Sequence, residues 1–205
     1  MKRTALGAMA AVMGITAWAG SLGPKAERKV TVCFDEGGTS EVTQRAEMIA
    51  SKMFRNIGVK LEWHSAGRFC DAQRDQVISV RLSNHTPHNL LPGALAYALP
   101  YEGVHIEVFY DRMTNAGNDL LPHILAHVLV HEITHIAQGV NIHSASGIMK
   151  AHWEEDDYLH MNTKPLAFTE ADVIGIYQGL DARASHSAPG TLAAANPVSP
   201  LATMQ

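Results

Sequence analysis

The segment His131–His135 has the sequence His-Glu-Ile-Thr-His, and its residue types and spacing suit metal chemistry. Residues four apart on an α-helix lie on one face, so His131 and His135 can direct two imidazoles to one point. Glu132 leaves the helix about 100° from His131, which keeps its carboxylate off the metal but close enough to hold a metal-bound water. The pattern H-E-x-x-H on a helix is typical of zinc hydrolases. The sequence therefore predicts zinc ligands at His131 and His135 and a general base at Glu132.

A third ligand has to come from outside this helix. A catalytic zinc usually has three protein ligands and keeps its fourth position for water. His143, eight residues after His135, is the first candidate. Gly139 can end the helix with a positive φ, which lets the chain turn back towards the metal. The alternative is a carboxylate from a later segment, supplied by Glu154, Glu155 or Glu170.

Residues 121–138 predict a long helix that is apolar on nearly every side. Such a helix is buried, and imidazoles inside a protein need partners, which a metal supplies. Pro122 suits the first turn and Gly139 the end. His123 and His127 continue the four-residue spacing, and we expect His127 to be a buried hydrogen-bonding residue rather than a ligand. His152 and His160 are expected to be exposed.

The length and composition predict one globular domain. The chain has 205 residues, of which 46% are hydrophobic, and we place the domain at residues 29–181. The formal net charge is only -4, and the basic residues are scattered. This argues against nucleic acid or an anionic membrane surface as a partner. We expect a monomer.

Both ends of the chain look unlike the domain. Residues 1–19 begin with Lys2 and Arg3, continue with an apolar stretch and end in Ala17-Trp18-Ala19, which is typical of a cleaved signal peptide. The protein is therefore expected to be secreted or periplasmic, without stable membrane association after cleavage; an uncleaved anchor is the alternative. Residues 182–205 are rich in Ala, Ser and Pro, which predicts a disordered tail.

Cys33 and Cys70 are the two cysteines of the chain. In an oxidising compartment an isolated pair is more often a disulfide than a metal site, and neither residue has zinc-type spacing to another cysteine. Two buried free thiols are the alternative.

The apolar periodicity predicts an α+β fold. We expect a mixed sheet of about four strands, packed on an amphipathic helix and on the buried helix, with a further helix near the C-terminus. Residues 70–76 and 83–100 are polar or rich in turn formers and are expected to be loops. The strands are predicted at residues 29–34, 59–63, 77–82 and 103–110, and the other helices at residues 40–56 and 168–180.

The segment from His131 to Met149 resembles the zinc site of the metzincin metallopeptidases, especially matrixin-like members, including small exported bacterial ones. The shared features are H-E-x-x-H, a glycine that ends the helix, a third histidine and a downstream methionine. The resemblance implies a zincin fold, a zinc ligand at His143 and a turn beneath the metal at Met149. It also offers Tyr158 as a group that could stabilise an oxyanion.

This sequence departs from the metzincin pattern in one respect. Gln138 and Asn141 stand where the family has its glycine and its third histidine, so Gly139 and His143 come one and two residues late. A longer connection can still bring an imidazole to the zinc.

These features predict an exported zinc-dependent endopeptidase. Glu132 would take a proton from the zinc-bound water and deliver it to the leaving amine. The strand at residues 104–110 could be an edge that pairs with an extended peptide, or an ordinary internal strand. The alternative function is a non-catalytic metal-binding or structural protein with a degenerate zincin fold, although a site of that kind does not need Glu132.

Overall fold

The computed structural model describes residues 27–35, 40–88, 93–98 and 104–187. The predicted signal peptide and residues 188–205 of the predicted tail lie outside them. Two short 3₁₀ turns, Tyr110–Arg112 and Thr114–Ala116, precede the long helix. The main elements are, in order, β1 (Arg28–Phe34), α1 (Glu41–Asn56), β2 (Val59–Ser65), α2 (Arg68–Ala72), β3 (Ile78–Ser83), β4 (Ala96–Ala98), β5 (His105–Phe109), α3 (Leu121–Gln138), α4 (Glu155–Met161) and α5 (Glu170–Ser187).

The strands form one mixed sheet in the order β2-β1-β3-β5-β4. β1 pairs in parallel with β2 and β3, and β3 pairs in parallel with β5. β4 is antiparallel to β5. Parallel neighbours need a crossover connection, and α1 provides it between β1 and β2. The predicted α+β fold, with a mixed sheet packed on helices, is confirmed.

β4 decides between the two alternatives that the sequence left open for the strand at residues 104–110. The strand predicted at residues 104–110 is internal, because β5 pairs with β3 on one side and β4 on the other. The outer strand is Ala96–Ala98, within residues that were expected to form loops. A three-residue strand between turn formers is too short to show an alternating pattern, so its position was not predictable from periodicity.

α1 begins and ends where the sequence predicts. The Ser40 hydroxyl accepts a hydrogen bond from the Thr43 amide at 3.1 Å, and Gly58 follows the helix with a φ of 69°. This N-cap satisfies one of the free amides of the first turn. The buried face of α1 packs on α3 and consists of Thr43, Ala46, Ala50, Met53 and Phe54.

α3 forms the centre of the hydrophobic core. Every residue from Ile124 to Ala137 is buried, and the helix contacts α1, α4, α5, β4 and β5. Gly139 ends α3 in the left-handed conformation, with a φ of 70° and a ψ of 19°, as predicted. In the part of the chain that the structure describes, no helix combines the length and apolar character needed to cross a membrane.

α5 is longer than the sequence predicts. It ends at Ser187 rather than near Leu180, so the first residues of the predicted disordered tail are helical. Polar contacts explain the extension: Arg183 Nη1 donates to the Ile136 carbonyl at 3.4 Å, and Arg28 forms an ion pair with Asp181 at 2.7 Å. α5 also packs closely on α3 at Gly179.

The two cysteines form a disulfide between β1 and α2. Their Cα atoms lie 6.1 Å apart, so of the two alternatives the structure shows the bond between Cys33 and Cys70. α2 replaces part of the loop predicted at residues 70–76. A five-residue helix covers little more than one turn, which leaves no periodicity to detect.

Candidate metal centre

His131 and His135 lie on successive turns of α3 and are buried, with 8% and 4% of their surface exposed. Their Nε2 atoms are 3.0 Å apart. The i, i+4 spacing on a regular helix produces this approach. The two imidazoles therefore face one point, as the motif predicts.

Backbone carbonyls fix the tautomers of both rings. The Nδ1 atom of His131 is 2.9 Å from the Ile148 carbonyl oxygen, and the Nδ1 atom of His135 is 3.2 Å from that of Val140. A carbonyl can only accept, so Nδ1 carries the proton in each ring. Burial lowers the pKa of both histidines to about 4, which keeps them neutral. Two unprotonated Nε2 atoms thus face each other.

His143 completes a group of three. One ring nitrogen from each of His131, His135 and His143 lies within 4.8 Å of the others, and among the described residues this is the group of histidine, cysteine and acidic side chains that could hold a metal. His143 is exposed, and its ring centroid is 5.2 Å from that of His131 and 4.9 Å from that of His135. The eight-residue interval after His135 does reach the pair. The acidic alternatives Glu154, Glu155 and Glu170 are not in the group.

The donor set of this triad fits Zn²⁺. Neutral imidazoles are borderline ligands that suit zinc, whereas Mg²⁺ and Ca²⁺ prefer oxygen ligands. The lone pairs on the Nε2 atoms of His131 and His135 face each other in a buried setting and repel each other. A cation bound between the two atoms removes that repulsion. The carbonyls behind His131 and His135 resemble the outer partners that orient histidines in metal sites.

Glu132 faces the same cleft as the triad. Its side chain is 8% exposed, and its carboxylate accepts a hydrogen bond from the main-chain amide of Ala98 on β4. Burial raises the pKa of Glu132 to about 8. The cleft has a volume of about 370 Å³, and its lining includes Glu132, the three histidines, the whole of β4, Trp153 and Tyr158.

β4 presents part of its backbone to this cleft. The Leu95 carbonyl accepts a hydrogen bond from the Phe109 amide at 2.8 Å, and directly opposed residues alternate between bonded and non-bonded pairs in an antiparallel ladder. The next pairs are Ala96 with Val108 and, two residues on, Ala98 with Ile106. The main-chain groups of Ala96 and Ala98 therefore point away from β5, which agrees with the bond from the Ala98 amide to Glu132.

Residues 144–153, which follow the triad in sequence, contact the side of the His131 ring that carries Nδ1. The Ile148 carbonyl accepts hydrogen bonds from both His131 Nδ1 and Trp153 Nε1, the latter at 3.3 Å. Met149 is fully buried in the core, and its carbonyl accepts a bond from the Ser144 amide at 2.8 Å. The structure thus places Met149 in a buried turn next to a partner of His131.

The other histidines lie outside the triad. His127 is fully buried: its Nδ1 donates to the His123 carbonyl at 2.7 Å, and its Nε2 accepts from the Leu166 amide at 3.1 Å. Both ring nitrogens are satisfied, so His127 is a buried hydrogen-bonding residue as predicted. His152 and His160 are exposed, and His152 lines the cleft.

Tyr158 is half-buried and also lines the cleft. Its ring packs edge-on against Trp153, with centroids 6.2 Å apart, and burial raises the pKa of its hydroxyl. A protonated hydroxyl can donate a hydrogen bond. Its proposed role at an oxyanion stays a prediction.

The comparison with known proteins supports the fold. No protein-family model and no curated protein matches the sequence. Among solved structures, the chain is similar to archaemetzincin from Methanopyrus kandleri, with a TM-score of 0.53 and 14% identity over 78% of this chain and 99% of the other. The chain has a metzincin-like fold.

Two further solved structures align with lower scores. Archaemetzincin from Archaeoglobus fulgidus gives a TM-score of 0.44 at 14% identity, over 72% of this chain and 99% of the other. Myroilysin gives a TM-score of 0.35 at 14% identity, over 72% of this chain and 65% of the other. The similarity to matrixin-like members stays a prediction from the motif.

Four residues of this region were not singled out from the sequence as parts of the site. Ala98 acts through its backbone, Ser144 through its hydroxyl and amide, and Trp153 through its indole nitrogen, and none of these contacts leaves a sequence motif. Asp172 had one visible signal, because Thr169 and Asp172 have the spacing of a capping box.

Proposed function

We propose that this protein is an exported zinc-dependent endopeptidase. The observation that carries the proposal is that Glu132 and the His131, His135 and His143 triad line one cleft beside the edge strand β4. A base, a metal-binding group and a strand edge that can pair with a peptide are parts that zinc-dependent peptide hydrolysis uses. The metzincin-like fold supports this assignment.

In the proposed mechanism, the three histidines would hold Zn²⁺. When bound, the ion supplies a Lewis acid that brings the pKa of water towards about 7 and polarises the scissile carbonyl. A cation held by the triad would favour the ionised form of Glu132 over the protonated one. The ionised carboxylate accepts the proton of the attacking water and later delivers it to the leaving amine. Its hydrogen bond to the Ala98 amide leaves the other acceptor positions of the carboxylate available for this transfer.

The substrate is proposed to bind as an extended peptide along β4. The main-chain groups of Ala96 point away from β5 and can pair with a peptide backbone as a further strand does. The lining of the cleft includes the apolar side chains of Val128, Phe109 and Trp153. These apolar side chains can contact one side chain of the peptide.

Export and a monomeric state belong to the same proposal. The sequence of residues 1–19 supports export, and the disulfide between Cys33 and Cys70 suits an oxidising compartment. The substrate is a peptide or protein, and neither nucleic acid nor a stable membrane association is part of the function.

A non-catalytic metal-binding protein is the second candidate. It is favoured by the bond between Glu132 and Ala98, which would give the carboxylate a structural task without catalysis. The two candidates differ in one property, the turnover of peptides by the zinc-loaded protein.

The deciding experiment measures zinc content and cleavage of a broad library of internally quenched peptides. We expect about one zinc per chain, cleavage by the wild type, and loss of cleavage with retained zinc in Glu132→Gln. Glu47→Gln, which changes a half-buried glutamate on α1, is the matched control and should behave as the wild type. Zinc-loaded wild type that cleaves none of the peptides would favour the non-catalytic candidate.

A further inference from the structure

Asp172 is a buried carboxylate that the proposed mechanism does not use. It lies in the first turn of α5 and is only 5% exposed. A buried carboxylate needs hydrogen-bond partners, and that of Asp172 has them on two segments of the chain, while the Asp172 main-chain carbonyl contacts a third. The carboxylate accepts from Thr169, just before α5, and from Ser144, directly after His143; the main-chain carbonyl accepts from Gln138 at the end of α3.

One carboxylate oxygen of Asp172 serves α5 itself. Oδ2 accepts a hydrogen bond from the Thr169 amide at 2.7 Å, and the Asp172 amide donates to the Thr169 hydroxyl at 3.2 Å. This reciprocal pair satisfies amides at the start of the helix in the manner of a capping box. The cap requires only one of the two oxygens.

The other oxygen contacts the segment that carries His143. Oδ1 accepts a hydrogen bond from the Ser144 hydroxyl at 2.6 Å, while the Asp172 carbonyl accepts one from Gln138 Nε2 at 3.2 Å. Gln138 immediately precedes Gly139, and Ser144 immediately follows His143. Asp172 therefore bonds both ends of residues 139–143.

Residues 139–143 need such support. Asn141, Ile142 and His143 are exposed and have no regular secondary structure. Ordering each backbone residue costs conformational entropy, and without such support this cost would be taken from the free energy of metal binding. Ser144 is held from two sides, because its amide donates to the Met149 carbonyl and its hydroxyl to Asp172.

We propose that Asp172 is a positioning residue for the metal centre, which acts through Ser144 to keep His143 within reach of His131 and His135. The inference rests on the proposed role of His143 as a metal ligand. It gives a physical account of how a histidine eight residues after His135 reaches the pair, since the Asp172 side chain fixes the Ser144 end of the longer connection and its main-chain carbonyl accepts from Gln138 at the other end.

The test removes the contact to the loop and leaves the helix cap in place. Ser144→Ala keeps the bonds of Asp172 to Thr169 and Gln138. Ser79→Ala is the matched control, because the Ser79 hydroxyl also donates to an aspartate, Asp35, at 2.6 Å, but lies on β3. The zinc dissociation constant is measured by competition with a chromophoric chelator, and the absorption spectrum of the Co²⁺-loaded protein reports the ligand geometry.

We expect Ser144→Ala to raise the zinc dissociation constant about 10- to 100-fold, as loss of an outer partner does in other metal sites, and to alter the Co²⁺ spectrum. Ser79→Ala should change neither. Asp172→Ala should weaken zinc binding at least as much as Ser144→Ala. Asp172→Asn should restore most of the affinity, because its oxygen can accept from Thr169 while its amide donates to the Ser144 hydroxyl.

The inference is overturned if Ser144→Ala binds zinc as tightly as the wild type with an unchanged Co²⁺ spectrum. Unfolding of the metal-free variants gives a second criterion. If Ser144→Ala and Ser79→Ala lose equal amounts of stability and equal amounts of zinc affinity, the loss of affinity follows from stability alone, which also overturns the inference. Peptide cleavage is scored separately. If the zinc-loaded wild type cleaves no peptide but Ser144→Ala weakens zinc binding, the proposed peptidase activity is rejected and the positioning role of Asp172 is retained.

Discussion

The carboxylate of Glu132 on α3 accepts a hydrogen bond from the main-chain amide of Ala98 on β4. Ala98 lies opposite Ile106, at a position whose main-chain groups point away from β5, so this bond takes nothing from the sheet. It ties the proposed base to the outer strand of the sheet. The bond thus fixes the position of the Glu132 carboxylate relative to the strand that would bind the substrate.

Ala96→Pro should impair peptide cleavage without loss of zinc. Proline removes the outward amide of Ala96, which is not part of the ladder with β5, and so removes a donor for the peptide backbone. We expect kcat/KM to fall about 3- to 10-fold, the equivalent of one hydrogen bond. Steady-state kinetics with zinc content measured alongside checks this. An unchanged kcat/KM would place the substrate elsewhere.

His143→Ala should lower zinc affinity far more than His152→Ala. His143 belongs to the triad, whereas His152 is an exposed histidine that lines the same cleft. Loss of one of three ligands leaves a two-histidine site, which holds zinc weakly. Chelator competition measures both variants. Full zinc occupancy in His143→Ala would show that another residue supplies the third ligand.

His127→Gln should flatten the pH dependence of stability. Burial lowers the pKa of His127 from its ordinary 6.5 to about 4, so the folded state holds it neutral. The contribution of neutral His127 to the free energy of unfolding is complete above pH 6.5 and is lost as the pH falls from about 6.5 towards about 4. The free energy of unfolding changes over this range by up to about 1.4 kcal/mol per pH unit. Glutamine can accept from the Leu166 amide but does not titrate. Denaturant unfolding of both proteins at several pH values checks the difference, and parallel curves would contradict it.

Gly179→Ala should destabilise the contact between α3 and α5. A Cβ atom at Gly179 would lie 1.9 Å from the Ala137 carbonyl oxygen, so the helices would have to separate. We expect a loss of about 1–3 kcal/mol in the free energy of unfolding. Gly175→Ala is the control, because the Cβ there meets only the Gln138 side chain at 3.1 Å. Equal stabilities of the two variants would contradict the close packing.

Removal of the disulfide should lower stability and leave the metal centre intact. Cys33 and Cys70 are separated by 37 residues, a loop whose closure is worth about 2–4 kcal/mol. The double variant Cys33→Ala/Cys70→Ala should lose that amount in denaturant unfolding. Its zinc dissociation constant should match the wild type, since both cysteines lie outside the triad and the cleft. A large loss of zinc affinity would contradict this separation.

The sequence predicted those parts of the fold that depend on long periodic patterns. α1 has a serine cap and an amphipathic face, and α3 has apolar residues on every side, so both helices begin and end close to the predicted residues. The triad followed from the i, i+4 spacing of His131 and His135 and from the glycine before His143. Each of these signals lies within one continuous segment.

The features that sequence did not reveal depend on contacts between distant segments. β4 has three residues, and only its pairing with β5 defines it. The end of α5 depends on Arg183 and Asp181, whose partners lie on α3 and β1. Asp172 carries the signal of a helix cap, but its second oxygen contacts Ser144, 28 residues away. Hydrophobic periodicity and secondary-structure propensity describe short segments and do not show which distant segments come into contact.

The carbonyl that Trp153 shares with His131 has an optical consequence. The Trp153 ring lies edge-on to the His131 ring, with centroids 5.7 Å apart, and its indole nitrogen bonds to Ile148. Indole fluorescence responds to nearby charge and to hydrogen bonding at that nitrogen. Of the other two tryptophans, Trp63 bonds to Ser51 and lies outside the cleft, and Trp18 belongs to the predicted signal peptide. Trp153 is therefore a fluorophore beside the triad, and its emission should report occupancy of the triad without any added label.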